Sequence, residues 1–174
     1  AGSGGRAGGV DTLRAADFCD PVSRPDRSIG DFEAFFCLWE RLDLVRQELE
    51  AGLGRELLPD MEIHYVNYGP SGFYGRHVDD AEEEPFDTRP SRRRVSFICY
   101  LTPPDDSDTE DGGWDPSHGG ALRAYVDQEG GSGHLDIWPT SGTLAIFDSC
   151  MLEHEVLCTN RERVCLIGWF HEPC

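Results

Sequence analysis

Phe32, Phe35, Phe36, Trp39, Leu42, Val45 and Leu49 recur at steps of three and four residues, which gathers them on one side of a helix. The pattern predicts an amphipathic helix that starts at Asp31 and runs to Leu49 and on to Leu53, with Gly52 and Gly54 punctuating its end. Beyond it the period shortens. Runs rich in β-branched and aromatic residues, divided by turn residues, predict strands at 61–68, 73–78, 95–101, 122–126, 135–138, 143–147, 153–158 and 164–170. Many short strands broken by Gly, Pro and Asp point to a sandwich or barrel, here behind a supporting helix.

Three stretches lack either period. Residues 1–9, AGSGGRAGG, read as a flexible lead-in. Residues 79–94 read as a loop with an acidic run (Asp79, Asp80, Glu82, Glu83, Glu84) followed by a basic one (Arg89, Arg92, Arg93, Arg94). Residues 103–120 read as a second loop, acidic and rich in Pro and Gly. Charge runs are ordinarily solvated surface, whereas loops longer than about 12 residues are more often lids or binding loops. On the second reading the arginines would meet an acidic polypeptide substrate.

Composition narrows the class. The 174 residues suit one domain, read as 1–174, with enough apolar surface to bury a core. All 15 basic residues are Arg, against 33 Asp plus Glu, for a net charge of −18. That balance opposes a nucleic-acid partner, whose phosphates are gripped by clustered cations. No apolar stretch approaches the roughly 18 residues that span a bilayer, so no membrane partner is expected. The seven cysteines are scattered, odd in number and without a C-x-x-C pair, the pattern of reduced thiols in a cytoplasmic or nuclear protein.

The chemistry centres on His77-Val78-Asp79. In a strand, residues i and i+2 share a face, so the imidazole and the carboxylate converge while Val78 points away. His154 lies far downstream in another strand-like stretch. Two His and one carboxylate form a facial triad, which leaves three adjacent positions on Fe(II) for a bidentate co-substrate and dioxygen. Taken alone, His77 and Asp79 also fit an ordinary surface pair, and His154 a hydrogen-bonded strand histidine.

Arg163 follows nine residues after His154 and opens the run Arg163-Val164-Cys165-Leu166-Ile167-Gly168-Trp169-Phe170. Alternation puts Arg163, Cys165, Ile167 and Trp169 on one face, and an Arg on such a face is costly to bury unless it meets an anion. A guanidinium grips a carboxylate through two parallel hydrogen bonds. A dicarboxylic keto acid would chelate iron at one end and reach this Arg with the other; a strand-edge surface position is the plainer alternative.

Over roughly residues 65–171 the sequence resembles the Fe(II)- and 2-oxoglutarate-dependent oxygenases, and among them the prolyl hydroxylases of the hypoxia-inducible-factor type. Tyr68-Gly69-Pro70-Ser71-Gly72-Phe73-Tyr74-Gly75-Arg76-His77-Val78-Asp79 is similar to the family's Tyr, Gly-rich loop and Arg-His-Val-Asp strand, with a loop one residue shorter. Phe97-Ile98-Cys99-Tyr100-Leu101 resembles the next core strand. Trp114-Asp115 and Gly119-Gly120-Ala121-Leu122-Arg123 resemble the family's Trp-Asp and Gly-Gly-x-Leu-Arg, and His154-Glu155-Val156 its distal histidine. With no Lys in the chain, the oxoglutarate anchor must be an Arg.

The resemblance implies a mainly β (α+β) fold, a double-stranded β-helix or jelly roll spanning 61–171 with supporting N-terminal helices. It makes His77, Asp79 and His154 the iron ligands, Arg163, Tyr100 and Tyr68 the oxoglutarate contacts, and Trp169 a lining of the substrate mouth. Ile98, Leu144, Ile146 and Ile167 are expected to line the apolar barrel wall. It implies Fe(II), 2-oxoglutarate and O2, with ascorbate as a further reductant, and a monomer acting on a protein that carries a target proline. Two other readings stay open: a 2-oxoglutarate oxygenase of another class, such as an alkylated-nucleic-acid demethylase, and a jelly-roll metal-binding module without chemistry.

Overall fold

The computed structural model describes residues 13–19, 31–81, 89–104, 113–128 and 131–174. In order these form β1 (Leu13–Cys19), α1 (Phe32–Leu53), β2 (Met61–His77), β3 (Ser91–Tyr100), β4 (Leu122–Gln128), β5 (Gly131–Ile137), β6 (Leu144–Asp148), β7 (His154–Val156) and β8 (Arg163–Pro173). The lead-in at 1–9 and residues 82–88 and 105–112 of the two expected loops lie outside the described residues.

All strand pairs are antiparallel, and the strand order is β5-β4-β7-β2-β8-β3-β6 with β1 beside β2. The long β2 belongs to two sheets. Met61–Tyr68 pairs with β8, whereas Tyr74 and His77 pair with β7. Between them the β1 register jumps from Ala16 opposite Tyr68 to Arg14 opposite Phe73, a bulge that turns the strand from one sheet into the other. This is the jelly roll, with the sheet β2-β8-β3-β6 facing the sheet β2-β7-β4-β5.

α1 begins where Asp31 accepts hydrogen bonds from the main-chain N–H groups of Glu33 and Ala34. It ends at Gly54 in the left-handed region. Phe35 and Leu42 of the helix are buried with Met61, Ile63, Phe97, Leu166 and Phe170 against the outer face of the first sheet. The inner face packs Val66, Tyr68, Ile98, Tyr100, Leu122 and Cys165 between the sheets. The central strands are thus covered on both sides, one by α1 and the other by the facing sheet.

Four expectations change. Among the described residues there is one α-helix rather than several. Residues 91–94 belong to β3, not to a loop, because each guanidinium finds a fixed partner: Arg93 pairs with Glu62 and Arg94 with Asp148 at 2.8 Å, while Arg92 donates to the Cys150 thiol at 3.0 Å. Those pairings replace the hydration that would hold a basic run in water. The inner-wall assignment holds for Ile98 and Ile167 but not for Leu144, which packs on the α1 side, or for Ile146, which is 40% exposed on the edge strand β6. The strands β1 and β5 extend past anything their sequences suggest, since Ala15-Ala16-Asp17 and Gly131-Ser132-Gly133 carry no β signature and are held by pairing with β2 and β4. The six cysteines with described side chains are free thiols.

Candidate active site

Antiparallel register, rather than proximity in sequence, brings the two histidines together: His77 ends β2 directly opposite His154 at the start of β7. Their rings lie 4.3 Å apart, flanked by Tyr74 at 4.4 Å and Phe147 at 4.6 Å. Asp79 follows immediately after β2, and its main-chain N–H, like that of Asp80, donates to the Ser149 carbonyl at 3.0 Å. This holds the carboxylate against the histidines: Oδ1 is 3.1 Å from His77 Nε2 and 3.6 Å from His154 Nε2. The three donor atoms lie within 4.8 Å of one another, a grouping that could hold a metal ion.

The protonation pattern suits a cation. His77 Nδ1 lies 2.8 Å from the Gly75 carbonyl and His154 Nδ1 3.0 Å from the Leu152 carbonyl. A carbonyl can only accept, so each Nδ1 carries a proton, and each Nε2 is left facing Asp79 as the nitrogen whose lone pair a metal would take. Burial pushes His154 below the usual histidine pKa, which keeps that lone pair available. Burial alone would raise Asp79. Hydrogen bonding with His77, Ser96 and Trp169, together with the neighbouring His154 imidazole, outweighs it and holds the carboxyl at about 2. Three lone-pair donors converging on one point, two of them oriented by main-chain carbonyls, form a metal-ligand arrangement with its outer partners in place.

Asp79 Oδ2 points away from the histidines. It accepts from Ser96 Oγ at 2.5 Å and from Trp169 Nε1 at 3.0 Å, and Ser96 in turn meets the Ser149 hydroxyl at 2.8 Å. Ser96 and Trp169 are register partners on β3 and β8, which places both donors on one side of the carboxylate. The expected substrate-mouth Trp169 does line the cavity, and it also orients Asp79.

A cavity of about 570 Å³ opens between the sheets, lined by the three candidate ligands and by apolar residues that include Ile98, Leu122, Val156 and Ile167. Deeper in the sandwich lies Arg163, 1% exposed, opposite Tyr68 in the β2–β8 register. Its guanidinium carbon sits 5.0 Å from the ring centres of both Tyr68 and Tyr100. Nη1 donates to the buried Cys165 thiol, but Nε and Nη2 have no hydrogen-bond partner, nor does the buried Tyr100 hydroxyl. An isolated buried charge costs several kcal/mol, and its unpaired donors add to that. Arg163 and Tyr100 could therefore receive an anion such as a carboxylate. Despite the shortened loop, Tyr68 is seated against Arg163.

Gly119 and Gly120 explain themselves here. Both adopt positive φ, and a Cβ on Gly119 would stand 2.3 Å from the Cys158 carbonyl, while one on Gly120 would press on Thr159 and on the stem of Arg163. The pair lets the chain before β4 pass close over the anchor. Trp114 closes the same corner by donating from its indole to the Gly119 carbonyl at 2.9 Å. Arg123, the last residue of that motif, faces outward and forms a bidentate pair with Asp136. Sequence reasoning did not identify Ser96, Ser149 or Glu62; a Ser within an apolar strand was the one available signal for the first.

Comparison with known proteins agrees with this geometry. Residues 63–171 match the model of the 2OG-Fe(II) oxygenase superfamily. A prolyl-4-hydroxylase from Pseudomonas putida is 33% identical, aligned over 91% of this chain and 72% of that one, with a TM-score of 0.67. A Trichoplax adhaerens prolyl hydroxylase, solved in complex with a peptide fragment of the hypoxia-inducible-factor oxygen degradation domain, is 20% identical, over 94% of this chain and 66% of that one (TM-score 0.70). A viral collagen prolyl hydroxylase from Paramecium Bursaria Chlorella virus-1, in its 2OG complex, is 18% identical, over 90% and 77% of the two chains (TM-score 0.57). The last two share the fold.

Proposed function

The chain belongs to the 2OG-Fe(II) oxygenase superfamily, and from that premise we propose that it is a prolyl 4-hydroxylase acting on a proline within a protein or peptide. His77, Asp79 and His154 hold Fe(II), and Arg163 with Tyr100 and Tyr68 receives the far carboxylate of 2-oxoglutarate. When bound, iron and co-substrate supply the oxidising chemistry: O2 is consumed, 2-oxoglutarate is converted to succinate and CO2, and a substrate C–H becomes C–OH. The chain's own side chains do the rest. The two main-chain carbonyls fix the histidine tautomers, Ser96 and Trp169 hold the carboxylate, and the apolar wall of Ile98, Leu122, Val156 and Ile167 keeps water from the reacting centre.

The observation that carries this reading is the pair of orphaned nitrogens on Arg163 beside the orphaned hydroxyl of Tyr100, in the same fold as a three-ligand cluster. A metal-binding module without chemistry has no use for a second, anion-binding site. The likeness to the Pseudomonas putida prolyl-4-hydroxylase supports proline as the target.

Arg163→Lys tests the anchor. Lys keeps the charge but loses the planar fork, so the Michaelis constant for 2-oxoglutarate should rise by about 10- to 100-fold, the equivalent of one charge-assisted hydrogen bond of about 1.5–3 kcal/mol. The turnover number should fall much less. An unchanged oxoglutarate dependence would remove Arg163 from this role. Peptide mass spectrometry after turnover then reads the target: one added oxygen on a proline is the expected product, and oxidation confined to other residues would contradict the proline assignment.

A further inference from the structure

Arg93 was expected to project from a basic loop. Instead it lies over the indole of Trp169, its guanidinium carbon 3.7 Å from the ring centre. The register shift between Arg93 and Val95 sets it there, turning Arg93 toward the cavity face of β3 while Val95 and Phe97 face α1. Glu62, opposite Trp169 on β2, clamps the guanidinium from the side: Nε donates at 3.0 Å and Nη2 at 2.5 Å to its two carboxylate oxygens. Nη1 reaches the main-chain carbonyl of Asp79 at 3.4 Å, and the Arg93 main-chain N–H donates to the buried Asp80 carboxylate at 2.9 Å. His171 and His64 each approach Glu62 at 3.3 Å, and the hydrogen bond with His171, followed by those from Arg93, holds the Glu62 carboxyl well below the usual range.

These contacts form a chain that ends on a candidate ligand. Glu62 fixes Arg93, Arg93 covers the indole, and the indole donates to Asp79 Oδ2. With Oδ2 held by Trp169 and Ser96, only Oδ1 faces the histidines. A carboxylate freed from one of those donors can rotate and present both oxygens to a cation, taking up a position that the co-substrate needs. A cation on an indole face contributes about 0.5–2 kcal/mol, and a bidentate Arg–carboxylate pair fixes the cation in the plane that contact requires.

We infer that Arg93, clamped by Glu62, is a positioning residue: by pinning the Trp169 indole it limits Asp79 to one oxygen toward the metal. It touches neither substrate nor metal in this role and acts through Trp169. The inference rests on His77, Asp79 and His154 being the metal ligands.

Co(II) titration of metal-free protein, read by visible d–d absorption, tests it without turnover. Wild type and His77→Ala come first, since binding that survives His77→Ala would refute the ligand assignment itself. Arg93→Gln should then weaken Co(II) about 10-fold and change the band shape, in the range expected for losing an outer-sphere partner. Glu62→Gln, which leaves Arg93 in place but unclamped, should weaken it about 3-fold, in the same range of outer-sphere effects but smaller. In a Trp169→Phe background Arg93→Gln should add less than about 2-fold, because the route to Asp79 is already cut. Wild-type affinity and band shape in Arg93→Gln would overturn the inference, as would an equal loss with and without Trp169. Should Arg93→Gln melt at low temperature, Glu62→Gln in the two backgrounds decides by the same criterion.

Discussion

His154→Ala is expected to reduce turnover at least about 100-fold while leaving the protein folded. Loss of an outer-sphere partner typically costs a metal site 10- to 100-fold, and His154 is a candidate ligand itself. Its imidazole is buried, oriented by the Leu152 carbonyl and packed on Phe147, so nothing nearby can substitute for its Nε2. The fold should survive because the core lies elsewhere, between α1 and the first sheet and between the two sheets. The space vacated opens into the existing cavity, so the stability cost should stay near the ordinary value of about 1 kcal/mol. Activity assays and thermal unfolding on the same preparation check both halves. More than about a tenth of wild-type turnover would remove His154 from the ligand set.

Gly168→Ala should have the largest effect on stability. A Cβ at this position of β8 would stand 2.3 Å from Phe97 Cζ and 2.6 Å from the Glu62 carbonyl oxygen. Neither neighbour can yield easily. Phe97 is 1% exposed and its ring packs 4.9 Å from that of Phe170, while the Glu62 carbonyl belongs to the β2 backbone paired with β8. Overpacking of a tight core typically costs about 1–3 kcal/mol, and a clash on two sides points to the upper end. For a chain of this size about 3 kcal/mol lowers the melting temperature by roughly 6–12 °C. Phe97→Leu should be partly rescuing in the Gly168→Ala background although destabilising alone. Strict additivity of the two changes would show that the clash with Phe97 is not the cause.

Much of the candidate site was legible because each part leaves a local signature. His77-Val78-Asp79 announces itself by spacing, and Arg163 by sharing a strand face with Cys165, Ile167 and Trp169; Cys165 and Ile167 pack between the sheets, and Trp169 lines the cavity. What the sequence did not disclose depends on register. Ser96 reaches Asp79 only because β3 sets it opposite Trp169, and Glu62 reaches Arg93 only because β2 and β3 both flank β8. The arginines at 92–94 look like solvated charge in one dimension because their partners, Cys150, Glu62 and Asp148, lie far off in the chain. For the same reason β1 was missed: its Ala- and Asp-containing stretch is a strand through its pairing with β2, not through its own propensity.

Substrate handling at the cavity mouth also looks different once Arg93 is seen to be engaged. A cation stacked on Trp169 and clamped by Glu62 is not free to reach out to an acidic segment. Charge reversal there should disturb the metal centre before it disturbs peptide binding.

The central claim is that one cavity holds Fe(II) on His77, Asp79 and His154 and a dicarboxylate on Arg163. Anaerobic visible absorption of the Fe(II)-loaded protein, recorded before and after adding 2-oxoglutarate, tests it most directly. The account predicts a charge-transfer band that grows in with 2-oxoglutarate, is absent in His154→Ala, and in Arg163→Lys requires about 10- to 100-fold more 2-oxoglutarate to reach the same intensity. No band in the wild type, or one of equal intensity in His154→Ala, would contradict it.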